Sequence, residues 1–400
     1  MIRPTPLLLI TLLLTFVCEC LPASAQSVWT RQTLSLTDDL TGIVYGNGQF
    51  VAVGDPGVII TSPDGTTWTS RTPVTSNPLR GIAYGNGLYV ATGSAGTLLT
   101  SPDGIIWTTR DAQTGTLLSG AAFGNGKFVV VGGSGTVRYS TDGVTWQPIV
   151  APPTVSALQG VCFGGGQFVA VGASGAIIRS ADGQTWSFAT GSAASYDYLF
   201  GVCYLNGTYA AVGKQGAIFT SPDADTWTRQ SIVAFTNLRG ITNNGKQFVA
   251  VGDPLPADEE FPAVPGKVLT STDGSSWVAT DLASDSSAFY GIGYGAKTYI
   301  IVGAATGTPA NGLVLTSEDD LAVSLGFEAW RQAEFTILDL ADPLISGAEA
   351  DPDLDGLKNF LEYALGLPPK LSTPGDHEAL PKLGKSAGEW TITFIRPENR

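Results

Sequence analysis

Apolar and polar residues follow a pattern that repeats about every 40 residues along most of the chain. Each copy holds four short apolar runs separated by turn residues, and in the second copy these runs are LRGIAY, LYVATG, TLLTS and IWTTR. The turns between them contain Asn-Gly and Asp-Gly, which favour tight hairpins between antiparallel strands. The pattern therefore predicts four antiparallel strands in every copy.

Seven copies follow one another at regular spacing. Each copy has an anchoring glycine in its first run: Gly42, Gly81, Gly120, Gly160, Gly201, Gly240 and Gly291. Their spacings are 39, 39, 40, 41, 39 and 51 residues. One such unit cannot bury both of its faces, so the copies must pack around a common axis. The predicted fold class is all-β: a seven-bladed β-propeller of four-stranded antiparallel blades over residues 26–320.

The two ends of the repeat region are complementary. The seventh copy reaches LVLTSEDD without a tryptophan strand after it, and the segment Ser27–Thr33 (SVWTRQT) has no repeat of its own. This segment is similar to DTWTRQS, which begins at Asp225. We therefore expect the N-terminal strand to complete the seventh blade and close the ring.

Residues 1–25 have the features of a signal peptide. Arg3 supplies a positive end, Leu7–Val17 is apolar apart from two threonines, and Ala23-Ser24-Ala25 is a small-x-small cleavage pattern. We expect cleavage after Ala25 and an exported protein, which would be extracellular, periplasmic or at the cell surface. The apolar run is too short for a comfortable membrane span, and no later segment is expected to cross a membrane.

The net charge of −14 argues against a nucleic-acid partner. A phosphate-binding surface needs clustered lysine and arginine, and only 21 of these residues are spread over the whole chain. The acidity is consistent with solubility outside the cytoplasm or with attraction of cations and basic partners. Both interpretations remain open at this stage.

Two cysteines, Cys162 and Cys203, remain after removal of the signal peptide. They occupy the same place in consecutive copies, in GVCF and GVCY. Matching positions on adjacent blades are expected to lie farther apart than a disulfide allows. We therefore expect two buried free thiols.

The turn between the third and fourth strands carries the motif Ser-x-Asp-Gly-x-x-Trp. It begins at Ser62, Ser101, Ser140, Ser180 and Ser271, and a variant with alanine in place of glycine begins at Ser221. The motif resembles the Asp-box of bacterial neuraminidase-type (BNR) repeats, which sialidases and photosystem II assembly-factor propellers share. The resemblance covers about residues 27–320 and implies the propeller fold. The serine and aspartate are expected to bond backbone groups of their own turn, a structural role.

Sialidase chemistry is not expected, although the resemblance to that family raises it. Such enzymes carry an arginine triad, a Tyr–Glu nucleophile pair and an aspartic acid, but Arg80 and Arg239 are the only arginines matched between copies at the start of the inner strand. The single histidine, His377, lies outside the repeats. We expect a non-catalytic protein that binds or scaffolds a protein or glycan. The alternatives are a carbohydrate-active enzyme and an assembly factor resembling the photosystem II helper, whose arginine-rich patch is not visible here.

Propellers of this kind are expected to bind ligands near the axis, on the face of the strand 4–1 and strand 2–3 loops. The sixth copy enlarges its strand 2–3 loop to residues 252–267, and the seventh has GAATGTPANG there. This enlargement is interpreted as a recognition lip or as a neutral loop expansion. The candidate ligand-binding residues are Arg80, Tyr196, Tyr198, Arg239, Asp258, Glu259 and Glu260. We expect the propeller to be monomeric.

Residues 321–368 change periodicity and predict a helical segment with a calcium loop. Oxygen-bearing residues at positions 1, 3, 5, 9 and 12 of a 12-residue loop are Asp351, Asp353, Asp355, Asn359 and Glu362. This is the pattern of EF-hand and dockerin-like loops, with Gly356 at the sharp turn. The alternative is an acidic helix start without metal. Residues 369–400 are expected to form a linker and the start of a β domain, which would be truncated here.

Overall fold

The computed structural model describes residues 29–34, 36–149, 154–190, 197–231, 236–254, 266–282, 287–304, 312–318, 382–386 and 389–393. The chain divides into two compact units, Met1–Ala322 and Val323–Arg400. In the second unit, strand Glu389–Thr393 pairs antiparallel with Lys382–Ser386. Both strands fall within residues 369–400, which were expected to form a linker and the start of a β domain. The calcium-loop residues lie outside the described residues.

The first unit contains seven four-stranded antiparallel sheets, the blades. The inner strands are Asp39–Gly46, Leu79–Gly85, Leu118–Gly124, Leu158–Gly164, Leu199–Leu205, Leu238–Asn243 and Ala288–Gly295. The second strands are Gln49–Asp55, Leu88–Gly93, Lys127–Gly132, Gln167–Gly172, Thr208–Gly213, Phe248–Gly252 and Thr298–Ala304. The third strands are Ile59–Ser62, Leu98–Ser101, Val137–Ser140, Ile177–Ser180, Ile218–Ser221, Lys267–Ser271 and Gly312–Glu318. The outer strands are Thr69–Ser70, Thr108–Thr109, Gln147–Pro148, Ser187–Phe188, Thr228–Arg229, Val278–Asp281 and, in blade seven, Thr30–Arg31.

Burial explains why the second strands are apolar almost without interruption. In blade one, Phe50, Val51, Ala52 and Val53 are all fully buried, whereas the outer strand Thr69–Ser70 is exposed. A strand that is covered on both faces needs apolar residues at every position rather than at every second one. The second strand is covered in this way because each blade packs between two neighbours.

The hydrophobic core consists of one cluster for each pair of adjacent blades. Val129 and Val131 of blade three, for example, pack with Phe168 and Trp186 of blade four. Equivalent clusters join the other six pairs of neighbours, including blades seven and one. The described residues therefore form a closed ring, as the repeat predicts.

The N-terminal strand completes blade seven, which confirms the closure prediction. Thr30 pairs with Thr316 and Arg31 pairs with Leu315. The pairing is extended by Gln32, whose backbone N–H donates to the Val314 carbonyl at 2.9 Å. Chain positions more than 280 residues apart, such as Gln32 and Thr316, are joined in one sheet.

The turn with the Ser-x-Asp-Gly-x-x-Trp motif is held by its own side chains. In blade three, the Ser140 hydroxyl donates to Asp142 and accepts from the backbone N–H of Gly143. Asp142 accepts the backbone N–H groups of residues 144 and 145, both at 2.8 Å. The Trp146 indole N–H donates to the Gly143 carbonyl at 3.1 Å. The motif thus satisfies turn backbone groups and anchors a buried tryptophan, in agreement with the structural role expected for it.

Candidate functional site at the axial mouth

Every blade has a β-bulge at the same place in its inner strand. In blade two, Leu79 pairs with Gly93 and Gly81 pairs with Thr92, so Arg80 has no partner residue on the second strand. A bulge bends the strand and re-aims the side chain of the extra residue. The seven extra residues, which we call the bulge ring, are Thr41, Arg80, Ser119, Gln159, Phe200, Arg239 and Tyr290.

The bulge ring lies at one face of the propeller, which we call the axial mouth. The start of each inner strand lies beside the end of the second strand, as in the pair Leu40 and Gly54. The hairpin between these strands, where Gly46 pairs with Gln49, lies at the opposite face. There the Gln49 amide donates to the carbonyl of Asp103 at 2.6 Å, so the serine–aspartate turns also belong to the opposite face. The described strand ends that flank the strand 2–3 and strand 4–1 loops therefore lie at the mouth face.

The anchoring glycines follow the bulge residues because the inner strands approach one another closely. A Cβ on Gly81 would lie 2.7 Å from the carbonyl oxygen of Ser119 in the next blade. A Cβ on Gly160 would lie 2.7 Å from the Phe200 carbonyl oxygen. Only glycine fits at these positions without moving the neighbouring backbone. The glycines fix the spacing of the bulge ring.

An axial cavity of about 170 Å³ adjoins the bulge ring. Its lining consists of the seven anchoring glycines and the residue after each of them, namely Ile43, Ile82, Ala121, Val161, Val202, Ile241 and Ile292. These side chains are apolar and carry no titratable group. The polar chemistry near the axis therefore belongs to the bulge ring and its neighbours at the mouth.

Arg239 is held in one orientation at the mouth. Its Nε donates to Asp253 Oδ2 at 2.6 Å, and its guanidinium carbon lies 4.4 Å from the centre of the Phe200 ring. Asp253 Oδ1 accepts the backbone N–H of Phe289 at 3.1 Å. Burial raises the pKa of Asp253. The hydrogen bond and the charge of Arg239 lower this pKa, but by less than burial raises it. Residues of blades five, six and seven together fix the guanidinium.

Aromatic and amide groups extend this cluster into blade four. The rings of Tyr198 and Phe200 have their centroids 5.0 Å apart. The Gln159 amide donates to the Tyr198 hydroxyl at 2.9 Å. This side of the mouth therefore combines an apolar surface with hydrogen-bonding groups.

A second arginine lies at the mouth on blade two. Arg80 reaches Asp55 of blade one at 3.5 Å, and both side chains are more than one third exposed. Burial raises the pKa of nearby Asp39, and the charge of Asp55 raises it further. Burial also raises the pKa of Tyr290, as do Asp39 and Asp253, whereas Arg239 and Arg80 lower it. Tyr290 therefore lies within electrostatic reach of both arginines.

The structure brings three of the sequence-predicted ligand residues, Arg80, Tyr198 and Arg239, to the same mouth. The other four, Tyr196, Asp258, Glu259 and Glu260, lie outside the described residues. The pairing of Gly252 with Lys267 shows that both ends of the enlarged blade-six loop start from this face. The ligand-binding role of all seven residues stays a prediction.

Sequence reasoning missed Phe200, Gln159 and Tyr290. Their signal is positional, because each one directly precedes an anchoring glycine. This position varies in chemistry from copy to copy, whereas the glycine after it does not. A search for the variable position beside the constant one would have found the bulge ring.

Cys162 and Cys203 are free thiols, as expected, but both residues are partly rather than fully buried. Burial raises the pKa of both, to about 11 for Cys203. The Asn243 amide lies 3.0 Å from the Cys203 sulfur and donates to it. Among the described residues there is no group of three or more His, Cys, Asp or Glu side chains placed to hold a metal ion. No helix in that part of the chain is long and apolar enough to cross a membrane.

No protein-family model and no curated protein matches the chain. Solved propellers are similar in fold. A structure described as YCF48 bound to D1 peptide is 18% identical, with a TM-score of 0.57 over 75% of this chain and 99% of that one. YCF48 from Cyanidioschyzon merolae is 14% identical, with a TM-score of 0.55 over 73% and 99%.

Enzymes occur among the similar structures as well. A virginiamycin B lyase from Staphylococcus aureus, described as catalytically inactive after replacement of a histidine by alanine, is 13% identical. Its TM-score is 0.60 over 72% of this chain and 99% of that one. At these identities the likeness shows the fold alone.

Proposed function

We propose that this propeller is a binding module that holds an extended segment of another protein at the axial mouth. The observation that carries the proposal is the bulge ring. The anchoring glycine is the same in every copy, yet the seven bulge positions beside it carry six different types of side chain around one axis. Different groups around one axis can each contact a different side chain of a bound peptide. A role in core packing alone would instead favour the same residue in each blade.

The peptide-bound YCF48 structure supports a protein ligand over a glycan. YCF48 is a propeller of similar fold whose structure contains a bound D1 peptide. In this chain, the aromatic pair Tyr198 and Phe200 offers an apolar surface, and Gln159 and Arg239 offer hydrogen bonds beside it. A largely apolar recess with a few placed polar groups is typical of ligand sites.

The bonding of the mouth residues supports the proposal of a non-catalytic role. Asp253 accepts bonds from Arg239 and from the backbone of Phe289, so it is engaged as a positioning group. The lyase found among similar structures loses activity when a histidine is replaced. The only histidine of this chain, His377, lies outside the repeats. An enzyme remains the alternative proposal, and turnover of a carbohydrate panel by the purified chain would establish it.

Two further parts of the proposal rest on the sequence. Residues 1–25 would direct export, with cleavage after Ala25. The Asp-box resemblance and the calcium loop at Asp351–Glu362 would add a repeat-family relationship and a metal-stabilised C-terminal segment. N-terminal sequencing of the secreted protein tests the first of these, and calcium titration tests the last.

Capture from a displayed random-peptide library by residues 26–400 tests the proposed function. We expect Phe200→Ala to weaken capture about tenfold, since an aromatic anchor at a binding surface contributes strongly to affinity. The matched control is Phe188→Ala, because Phe188 is 48% exposed on an outer strand. No peptide capture, or equal losses in both variants, would contradict the proposal; selective capture from a glycan array would favour the glycan alternative.

A further inference from the structure

Arg239 has hydrogen-bonding capacity that the protein itself does not use. Its Nε is bonded to Asp253 and one face of its guanidinium covers Phe200. Its two terminal amino groups have no hydrogen-bond partner among the described residues, and its side chain is 34% exposed. The guanidinium of Arg239 is therefore held in one orientation, and its two terminal amino groups are available to bind a carboxylate.

Arg80 supplies a second cation at the mouth. Its one described polar contact is the 3.5 Å approach to Asp55, which is long for a charge-assisted hydrogen bond. Tyr290 lies within electrostatic reach of both Arg80 and Arg239, and it also belongs to the bulge ring. Two arginines and a phenol therefore line the mouth of a protein whose net charge is −14.

We propose that the segment bound at the axial mouth presents a carboxylate to the terminal nitrogens of Arg239, next to an apolar or aromatic side chain that packs on Phe200 and Tyr198. This inference rests on the proposed function and names the ligand chemistry of the same site. The two parallel N–H groups at the end of a guanidinium match the two oxygens of a carboxylate. Asp253 is a positioning residue in this arrangement because it holds Arg239 through Nε and leaves that end open.

The acidic groups around the mouth limit which anions fit. Asp39 and Asp55 lie near Arg80, Asp253 lies beside Arg239, and the charge of Asp55 already raises the pKa of Asp39. A polyanion would meet several negative charges at once, whereas a single carboxylate meets the end of one fixed guanidinium. We therefore expect short-range recognition of one carboxylate, with little long-range attraction of anions.

N-acetyl-phenylalanine is a minimal probe because it joins one carboxylate to one aromatic ring. Titration into isotope-labelled protein should shift the Arg239 Nε–H resonance and those of Phe200 and Tyr198, with a dissociation constant on the order of 1 mM, as expected of a fragment. N-acetyl-phenylalaninamide lacks the charge and should bind at least about tenfold more weakly. Glucuronate carries the carboxylate on a sugar, and tighter binding of glucuronate than of N-acetyl-phenylalanine would overturn the assignment to a peptide.

Variants locate the binding on Arg239. Arg239→Gln should weaken binding of the probe about tenfold. Arg239→Lys should restore only part of the lost affinity, because lysine keeps the positive charge but lacks the paired N–H groups of a guanidinium. The control is Arg110→Gln, since Arg110 is bonded to Thr100 on the periphery of blade two and should not affect binding. Equal affinity for acid and amide, or full affinity in a folded Arg239→Gln protein, would overturn the inference.

The two proposals fail in different ways. If library peptides are captured at Phe200 but amidation and replacement of acidic residues leave capture unchanged, the carboxylate inference is wrong and the binding function stands. If no peptide is captured, the binding function is wrong, and with it the inference that depends on it.

Discussion

The guanidinium carbon of Arg239 lies 4.4 Å from the centre of the Phe200 ring, which joins the bulge residues of blades five and six. A cation over an aromatic face is attracted by the ring quadrupole and is held more firmly when partly desolvated. Asp253 fixes the same guanidinium from the side at 2.6 Å. The two bulge positions therefore act as one unit, and substitution of Phe200 is expected to change the orientation of Arg239 as well as the apolar surface.

The first prediction concerns the close approach of the inner strands. Gly81→Ala places a Cβ 2.7 Å from the Ser119 carbonyl oxygen and 2.8 Å from Thr92 Oγ1, so the backbone of the ring must shift. We expect the free energy of unfolding to fall by about 1–3 kcal/mol, the usual cost of overpacking. Chemical denaturation measures the change, provided that the slope of the unfolding free energy against denaturant concentration is the same for the variant and the unmodified protein.

The matched control for this substitution is Gly115→Ala. A Cβ at Gly115 meets no atom within 4 Å, and its φ is not in the left-handed region. Alanine there restricts the unfolded chain and should leave stability unchanged or raise it slightly. Equal destabilisation by the two substitutions would show that steric crowding at the inner strands is not the cause.

The second prediction concerns the Ser119 hydroxyl. Its oxygen is buried and has no hydrogen-bond partner among the described residues. An unsatisfied buried hydroxyl costs free energy, so Ser119→Ala should raise the free energy of unfolding by about 1 kcal/mol. Ser140→Ala is the control and should lower it, because the Ser140 hydroxyl donates to Asp142 and accepts from Gly143. Destabilisation by Ser119→Ala would mean that the hydroxyl has a partner in solution.

The third prediction is loss of stability in acid through the serine–aspartate turns. Backbone N–H bonds from Thr145 and Val144 lower the pKa of Asp142 to about 2, and equivalent bonds, led by that from Thr185, lower the pKa of Asp182 to about 2. A folded-state pKa below the unfolded value near 3.9 stabilises the fold above that pH. This stabilisation should disappear as the pH falls from about 4 towards 2.

Melting temperatures between pH 7 and pH 2 measure this effect. Asp142→Asn keeps an acceptor oxygen but cannot titrate, so the melting temperature of this variant should fall less steeply over the same range. Carbon NMR of the Asp142 carboxyl gives the direct check. A titration midpoint near the ordinary aspartate value would refute the proposed origin of the acid sensitivity.

The fold was predictable because the same pattern of four strands and their turns occurs seven times along the sequence. Regular glycines, turn dipeptides and the unpaired Ser27–Thr33 segment were enough to predict the blades and their closure. The bulge ring was not predictable in this way. Whether Arg80 has a partner on the second strand depends on the pairing register, which is a property of two strands and not of one sequence window.

Paired departures from the repeat carry information that single copies do not. In most blades a glycine near the end of the inner strand faces an aromatic ring of the next blade. Gly124, for example, faces Phe163 so closely that a Cβ on Gly124 would collide with the ring. Blade five has Leu205 at this glycine position, and blade six has Asn243 at the aromatic position. The smaller Asn243 bonds back to blade five through Cys203 and Tyr204. Such compensation is visible only when neighbouring copies are compared in register.

The last prediction is calcium binding by the acidic loop at the C-terminal side of the repeats, which lies outside the described residues. Asp351, Asp353 and Asp355 repel one another unless a cation lies among them, and Glu362 can add two oxygens to its coordination. Calorimetric titration of metal-stripped protein should therefore give calcium heat. At free calcium 100 times its dissociation constant, the ion should stabilise the segment that binds it by about 2.7 kcal/mol.

Two variants separate calcium binding by the loop from acidity in general. Replacing both Asp353 and Glu362 with alanine removes ligands at positions 3 and 12, so it should abolish the calcium heat. Glu349→Ala removes an equal charge just before the loop and should leave binding intact, because Glu349 is not at a ligand position. The propeller has its own core between blades, so its melting transition should remain in both variants. Absence of heat with both calcium and magnesium at millimolar concentration would leave the acidic run as a solvated helix start.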